Sequence, residues 1–185
     1  MTFEPIFQLG VGNAWVLCIP FVLGGVYITC QTKEIAKRMA DMTGYHKIEK
    51  LFTILASLAP YPFIIATIWV PFTKIRTFFY IGLVVYFIGL VMFFLALRII
   101  VKTPLDKPFL DGPYRISRNP FYVSAILIFL GICFATTNLI LLGYWMFLSI
   151  LQHVMILAEE RICKQRYGIS YEKYMQKIPR YLFVF

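Results

Sequence analysis

Apolar residues gather in five long runs, at 12–30, 51–72, 78–101, 120–137 and 138–157, with polar residues collected between them. A helix of about 20 apolar residues spans the roughly 30 Å hydrocarbon core of a bilayer. Lipid offers no partner to exposed backbone groups, so each run is predicted to be helical. The expected fold class is an all-α polytopic integral membrane protein with about five transmembrane helices. Only Thr136, Thr137 and Asn138 interrupt the last two runs, which predicts a tight helical hairpin. Pro60, Pro62 and Pro71 predict a break or kink in the second span. Gly82 and Gly89 are seven residues apart on one face of the third span, and Gly24 and Gly25 lie in the first. These small residues predict close helix packing.

Composition strengthens the membrane reading. Hydrophobic residues make up 60% of the 185 and charged residues 15%, against about 25% charged in soluble domains. The formal charge of +9 is unevenly distributed. Lys and Arg number five in segment 31–50, five in 98–118 and six after the fifth run, but two in the 72–77 turn. The positive-inside rule then puts the N-terminus outside and the C-terminus in the cytoplasm, with an odd number of spans. Basic residues that flank spans argue against a nucleic-acid partner and for the lipid bilayer, where they attract anionic headgroups. Segment 1–11 has Glu4 and no Lys or Arg, so it lacks the basic start of a signal peptide. Cys18, Cys30, Cys133 and Cys163 have no CxxC spacing and read as packing residues. No group has metal-ligand spacing, so no metal is expected.

The character of the chain changes after Val101. Residues 1–101 read as three scaffold helices with access from the lipid side, and 102–185 as the chemical region. The segment KTPLDKPFLDGPYRISRNP is rich in proline, charge and turn residues, and stays out of lipid unless protein or water surrounds it. Asn119 and Pro120 suit the N-cap and first position of a helix. The adjacent Glu159 and Glu160 disfavour a helix C-terminus. Either the helix runs on, with Arg161 and Lys164 as their partners, or the acids await a cationic ligand. Tyr167, Tyr171 and Tyr174 share one helix face, as packing residues or interface anchors. His46 reads as a loop residue. His153, near the end of an apolar helix, reads either as functional or as a hydrogen-bonding link between helices.

Taken in order, Gly112, Tyr114, Arg118, Asn119, Pro120 and Tyr122, a helical hairpin, then Glu159, Glu160, Tyr167, Gly168, Tyr171, Tyr174 and Pro179 form a pattern. It resembles the signature of the isoprenylcysteine carboxyl methyltransferase family and its phospholipid methyltransferase relatives, over about residues 102–180. The resemblance implies a membrane enzyme that uses S-adenosylmethionine, leaving S-adenosylhomocysteine, at its cytoplasmic face. Carried over by position, the cofactor-binding candidates are Lys107, Pro108, Phe109, Leu110, Tyr114, Asn119, Pro120, Phe121, Tyr122, Glu159 and Glu160. A carboxylate can accept hydrogen bonds from the cofactor's ammonium or ribose, and tyrosine rings can face its sulfonium or adenine.

Three positions depart from the family pattern. Asn119 replaces a histidine, Ser124 a small residue, and Met155 stands where the eukaryotic prenylcysteine enzymes have a substrate-holding arginine. Arg98, Arg115, Arg118 and Arg180 are substitute cations on the substrate side, and His153 is a candidate base there. The implied reaction is methyl transfer to a lipophilic prenyl or phospholipid substrate, first the carboxylate of an isoprenylcysteine. The alternatives are phospholipid N-methylation, a sterol-reductase-like nicotinamide enzyme, and a scaffold without catalysis. The chain has no dinucleotide glycine fingerprint, and its own end, YLFVF, has no prenylation motif.

Overall fold

The computed structural model describes residues 10, 12–31, 33–104 and 106–182. Among these the fold is entirely helical. A 3-10 turn, Ala14–Cys18, leads into α1 (Ile19–Thr29), followed by α2 (Lys33–Met39), α3 (Lys47–Leu58) and α4 (Pro60–Ala66). A second 3-10 turn, Thr67–Trp69, precedes α5 (Arg76–Lys102). A third, Gly112–Arg115, precedes α6 (Pro120–Thr136), α7 (Leu139–Tyr167) and α8 (Ile169–Lys177).

The protein is a polytopic membrane protein. Three helical stretches are long and apolar enough to cross a membrane: Lys47–Trp69, Arg76–Lys102 and Leu139–Tyr167. The apolar helices Ala14–Thr29 and Pro120–Thr136 are shorter. The second span starts within the basic loop, at Lys47, and is interrupted at Ala59, before Pro60. Tyr144 of α7 donates to the Ala59 carbonyl at 3.0 Å, so the break is anchored to a neighbouring helix. The α6–α7 hairpin is as tight as the sequence predicts. Thr137 takes the left-handed conformation (φ 49°), and Asn138 caps α7 by accepting from the backbone N–H groups of Ile140 and Leu141, each at 3.0 Å.

Small residues set the closest packing. A Cβ added at Gly89 would lie 2.8 Å from the Ile128 nitrogen, and one at Gly131 would lie 2.6 Å from the Tyr86 nitrogen. The backbones of α5 and α6 therefore touch along a line through Gly82, Gly89 and Gly131, as predicted for the first two. Gly24 meets the Phe93 ring, whereas Gly25 faces open space. The next layer is aromatic. Phe63, Phe129, Phe21 and Phe93 follow one another with ring centroids 4.8–5.0 Å apart, and Phe93 stacks on Phe121 at 5.5 Å. The outer face of α5 leaves Val84, Phe87, Ile88 and Val91 more than half exposed, as a surface solvated by lipid tails requires. Cys18 and Cys133 are buried and all four cysteines are free.

Chain direction puts the ends of α1, α5 and α7 and the starts of α3 and α6 at one end of the bundle. The opposite end holds the turn before α5 and the α6–α7 turn, where Thr73 and Thr137 hydroxyls meet at 3.0 Å. The three lysine- and arginine-rich segments thus share one end. We expect Gly89→Leu to cost about 3 kcal/mol, because neither backbone can retreat without opening the α5–α6 seam. A thermal melt in detergent would check this; a melting temperature equal to wild type would contradict the seam.

Candidate functional site

At the basic end, a cavity opens between four parts of the chain. It is lined by Arg38, Asp41, Met42 and Tyr45 from the α2–α3 region, by Thr53, by Pro108, Phe109 and Tyr114, by Arg118, Asn119, Phe121 and Tyr122, and by residues of α7 and α8. The last group includes Glu159, Glu160 and Cys163 from α7 and Tyr171 and Tyr174 from α8.

Glu159 and Glu160 are neighbours in sequence with different surroundings. The helix continues past both to Tyr167, so neither carboxylate sits at a C-terminus. Their partners are not Arg161 and Lys164, however. Arg161 reaches Glu49 on α3 (Nε to Oε1, 3.3 Å), and Lys164 pairs with Glu172 at 3.0 Å. Successive helical residues point about 100° apart, so the two acids face different groups.

Glu160 is buried, 4% exposed, in a ring of donors. Arg118 donates from Nε to Oε1 at 3.1 Å, Asn119 from Nδ2 to Oε1 at 2.8 Å, and Arg180 from Nε to Oε2 at 3.0 Å. Arg118 also donates from one terminal nitrogen to the carbonyls of Met175 and Ile178, at 2.7 and 3.1 Å. Ser117 donates to the Arg180 carbonyl at 2.9 Å and receives the Asn119 N–H at 3.1 Å. Asn119 does occupy the N-cap position of α6, but its side chain makes no cap hydrogen bond. It is spent on Glu160 instead.

Glu159 faces the cavity. Tyr122, one turn into α6, donates its hydroxyl to Glu159 Oε1 at 2.5 Å. Among the described residues no cation pairs with Glu159. Around it stand phenols that remain protonated. Burial, and next the Glu159 charge, push Tyr114 and Tyr45 well above the ordinary tyrosine value, and burial does the same to Tyr174. Tyr174 donates to the Tyr114 carbonyl at 2.6 Å, tying α8 to the segment before α6. One further group points to a ligand. The Thr53 hydroxyl is buried on the cavity wall with no hydrogen-bond partner among the described residues, and such orphans are rare.

A latch holds one side of the mouth. Arg38 on α2 donates to the carbonyls of Thr103, Pro104 and Lys107 at 3.3, 3.1 and 2.6 Å, and its guanidinium lies 4.1 Å over the Phe109 ring. Arg166 pairs with Asp41 at 2.8 Å. The hydrogen bond from Thr43, then Arg166, lowers the Asp41 carboxyl to about 2. Its folded value being depressed, this pair contributes stability above the unfolded value of about 3.9, lost as pH falls toward 2.

The structure therefore brings Pro108, Phe109, Tyr114, Asn119, Phe121, Tyr122, Glu159 and Glu160 to one cavity. Lys107 and Leu110 are exposed beside it, and Pro120 is buried at the start of α6. Of the substrate-side candidates, Arg118 and Arg180 are bound to Glu160, and Arg115 is exposed and paired with Asp111 at 2.9 Å. Arg98 is exposed on α5, away from the cavity lining, and Met155 is packed in the core. His153 is outside the cavity, its Nδ1 2.6 Å from the Tyr181 hydroxyl. Arg38, Asp41, Tyr45 and Thr53 carry no local motif. For Arg38, Asp41 and Tyr45 the one signal is membership of the basic segment 31–50, while Thr53 lies inside the second apolar run and carries none.

The phospholipid methyltransferase family model (PEMT) matches residues 79–170, from α5 to the start of α8. Residues 79–170 belong to the phospholipid methyltransferase family. This family falls in the isoprenylcysteine carboxyl methyltransferase group, in agreement with the resemblance of the motifs. No curated protein and no solved structure matches the chain. The match supports a membrane methyltransferase by class, and the matched region holds the Tyr122–Glu159 pair and the Glu160 ring except Arg180 and the Met175 and Ile178 carbonyls that Arg118 binds.

Two variants separate the Glu160 ring from the Arg38 latch. Removing Glu160 strands two guanidiniums in a buried ring, so Glu160→Ala should destabilise the protein by about 3–5 kcal/mol. Arg38→Ala should leave the melting temperature nearly unchanged but weaken ligand binding in the cavity about tenfold, through loss of the latch. Melting curves and calorimetric titration with S-adenosylhomocysteine measure both; equal destabilisation by the two variants would contradict this division of labour.

Proposed function

We propose that the protein transfers a methyl group from S-adenosylmethionine to the polar head of a lipophilic substrate at the cytoplasmic face of a membrane. The observation that carries this reading is Glu159, a carboxylate in an aromatic cavity with one phenol donor and, among the described residues, no cation of its own. Those residues fit a ligand that brings a positive charge, aromatic surface and hydrogen-bonding groups. Glu159 would hold the ammonium or ribose hydroxyls, while Tyr114, Tyr122 and Phe109 pack against the rest. The Thr53 hydroxyl supplies a further polar contact. When bound, S-adenosylmethionine supplies an activated methyl group on a cationic sulfur. The chain's own part is to orient the acceptor, exclude water and place its rings around the positive charge.

Two acceptors remain in play, and each has a supporting observation. The matched family favours an amine headgroup, as does the cavity wall, where Arg38, Arg118 and Arg166 already have partners among the described residues. Before transfer such an amine must lose a proton, and Glu159 is the nearest acid without a cation. The order of the motifs from Gly112 to Pro179 favours the carboxylate of an isoprenylcysteine, which is ionised and needs no base. The charge pattern supports five spans with the N-terminus outside and this cavity inside, the first 101 residues serving as scaffold and lipid access.

Calorimetry on detergent-purified protein should show one S-adenosylhomocysteine bound per chain. Glu159→Gln and Tyr122→Phe should each weaken it at least about tenfold with helicity intact, as expected for a charge-assisted contact. No binding by folded wild-type protein would end the methyltransferase reading. Incubation with labelled S-adenosylmethionine and either phosphatidylethanolamine or N-acetyl-S-farnesylcysteine then decides between amine and carboxylate acceptors by which one becomes labelled.

A further inference from the structure

On the surface of the α6–α7 hairpin lies a groove that the cavity does not use. Its floor comes from Val123 and Ile126 of α6 and Ser149 and Ile150 of α7, and one rim from His153, Tyr181 and Leu182. The Ser149 hydroxyl is turned back onto the Trp145 carbonyl at 2.9 Å, so the floor is apolar in effect. Ile150 is 63% exposed, which leaves the groove open to the lipid around the bundle.

Helical spacing sets what stands at the end of this groove. Asn119, Val123 and Ile126 follow at intervals of four and three, and His153 and Glu160 at seven, so each set shares a helix face. The groove therefore runs along both helices toward the ring of Arg118, Asn119, Arg180 and Glu160. That end carries a surplus of positive charge, two guanidiniums against one carboxylate. Arg180 uses Nε on Glu160, its side chain is 23% exposed, and its terminal nitrogens have no partner among the described residues. Next to it in sequence, Tyr181 meets His153 at 2.6 Å. The result is an apolar trough rimmed by a histidine–tyrosine pair, with the partly exposed Arg180 adjoining Tyr181 in sequence, at the end of the bundle where the chain concentrates its basic residues.

We propose that this groove is a binding site for an anionic phospholipid. One acyl chain would lie over Ile126 and Ile150, and the phosphate would accept from Arg180 and from the His153–Tyr181 pair. Charge complementarity selects an anionic head over a zwitterionic one, because the surplus is one positive charge and nothing acidic stands on the groove's rim among the described residues. The lipid is bound here and not methylated, since Arg118, Asn119 and Glu160 stand between the groove and the cavity that holds Glu159. Its phosphate would complete the charge balance of the ring that fixes the C-terminal segment.

Native mass spectrometry of the full-length protein tests this, in detergent with phosphatidylglycerol or phosphatidylcholine added in turn. The expected result is one phosphatidylglycerol retained per chain, at least about tenfold over phosphatidylcholine. Ile150→Trp, which fills the trough from its lipid-exposed side, should lower that retention about tenfold and leave S-adenosylhomocysteine affinity unchanged. His153→Ala should lower the preference for the anionic lipid. Equal retention of the two lipids, or undiminished phosphatidylglycerol in the Ile150→Trp protein, would overturn the site. The lipid measurement does not depend on cofactor binding, so failure of the methyltransferase reading would leave it standing.

Discussion

The buried carboxylate of Glu160 is the contact on which the basic end of the bundle is built. It accepts from three side chains that belong to two segments far apart in sequence, and Arg118 and Ser117 extend the contact to carbonyls of the chain between Met175 and Arg180. Burying these charges is costly unless each is paired and hydrogen-bonded. Here the pairing is nearly complete, so the ring holds the start of α6, the middle of α7 and the strap after α8 in one arrangement. Without it, α8 would have little reason to lie over the cavity, and Tyr171 and Tyr174 would not face Tyr114.

With Glu160 satisfied in this way, its neighbour is left to face the cavity. Glu159 has a phenol and no cation, inside walls formed by aromatic rings and an unpartnered threonine. One acid thus organises the fold and the other faces the cavity, and the 100° step of the helix keeps the two apart. The aromatic column Phe63, Phe129, Phe21, Phe93 and Phe121 links this site to the bundle core. The glycine seam between α5 and α6 then fixes the helix that carries Tyr122. The cavity is therefore positioned by packing in the bilayer as well as by polar contacts at its edge.

The latch from Arg38 gives the N-terminal half a part in the site. A short helix between two apolar helices reaches across to the carbonyls of Thr103, Pro104 and Lys107 and covers Phe109. Half of the cavity's mouth therefore belongs to a region that the motifs leave blank. The groove on the α6–α7 hairpin is rimmed by Tyr181, the neighbour in sequence of Arg180 in the Glu160 ring, so the two surfaces are joined through the segment after α8.

The sequence by itself determined the helical membrane class, the hairpin at Asn138, the close packing at Gly82 and Gly89, and the common side of the basic segments. These follow from periodicity, residue size and charge, which act locally or through the bilayer. It also placed Tyr122 and Glu159 among the candidates, through spacing that a helical hairpin preserves. The tertiary structure alone decided which of the two acids is paired, that Asn119 serves Glu160 rather than the helix end, and that Arg118 and Arg180 are occupied. It alone brought Arg38, Tyr45 and Thr53 to the cavity and sent His153 to a different surface. A hydrogen bond between residues more than 40 positions apart depends on how helices rotate and cross, and no local pattern encodes that rotation.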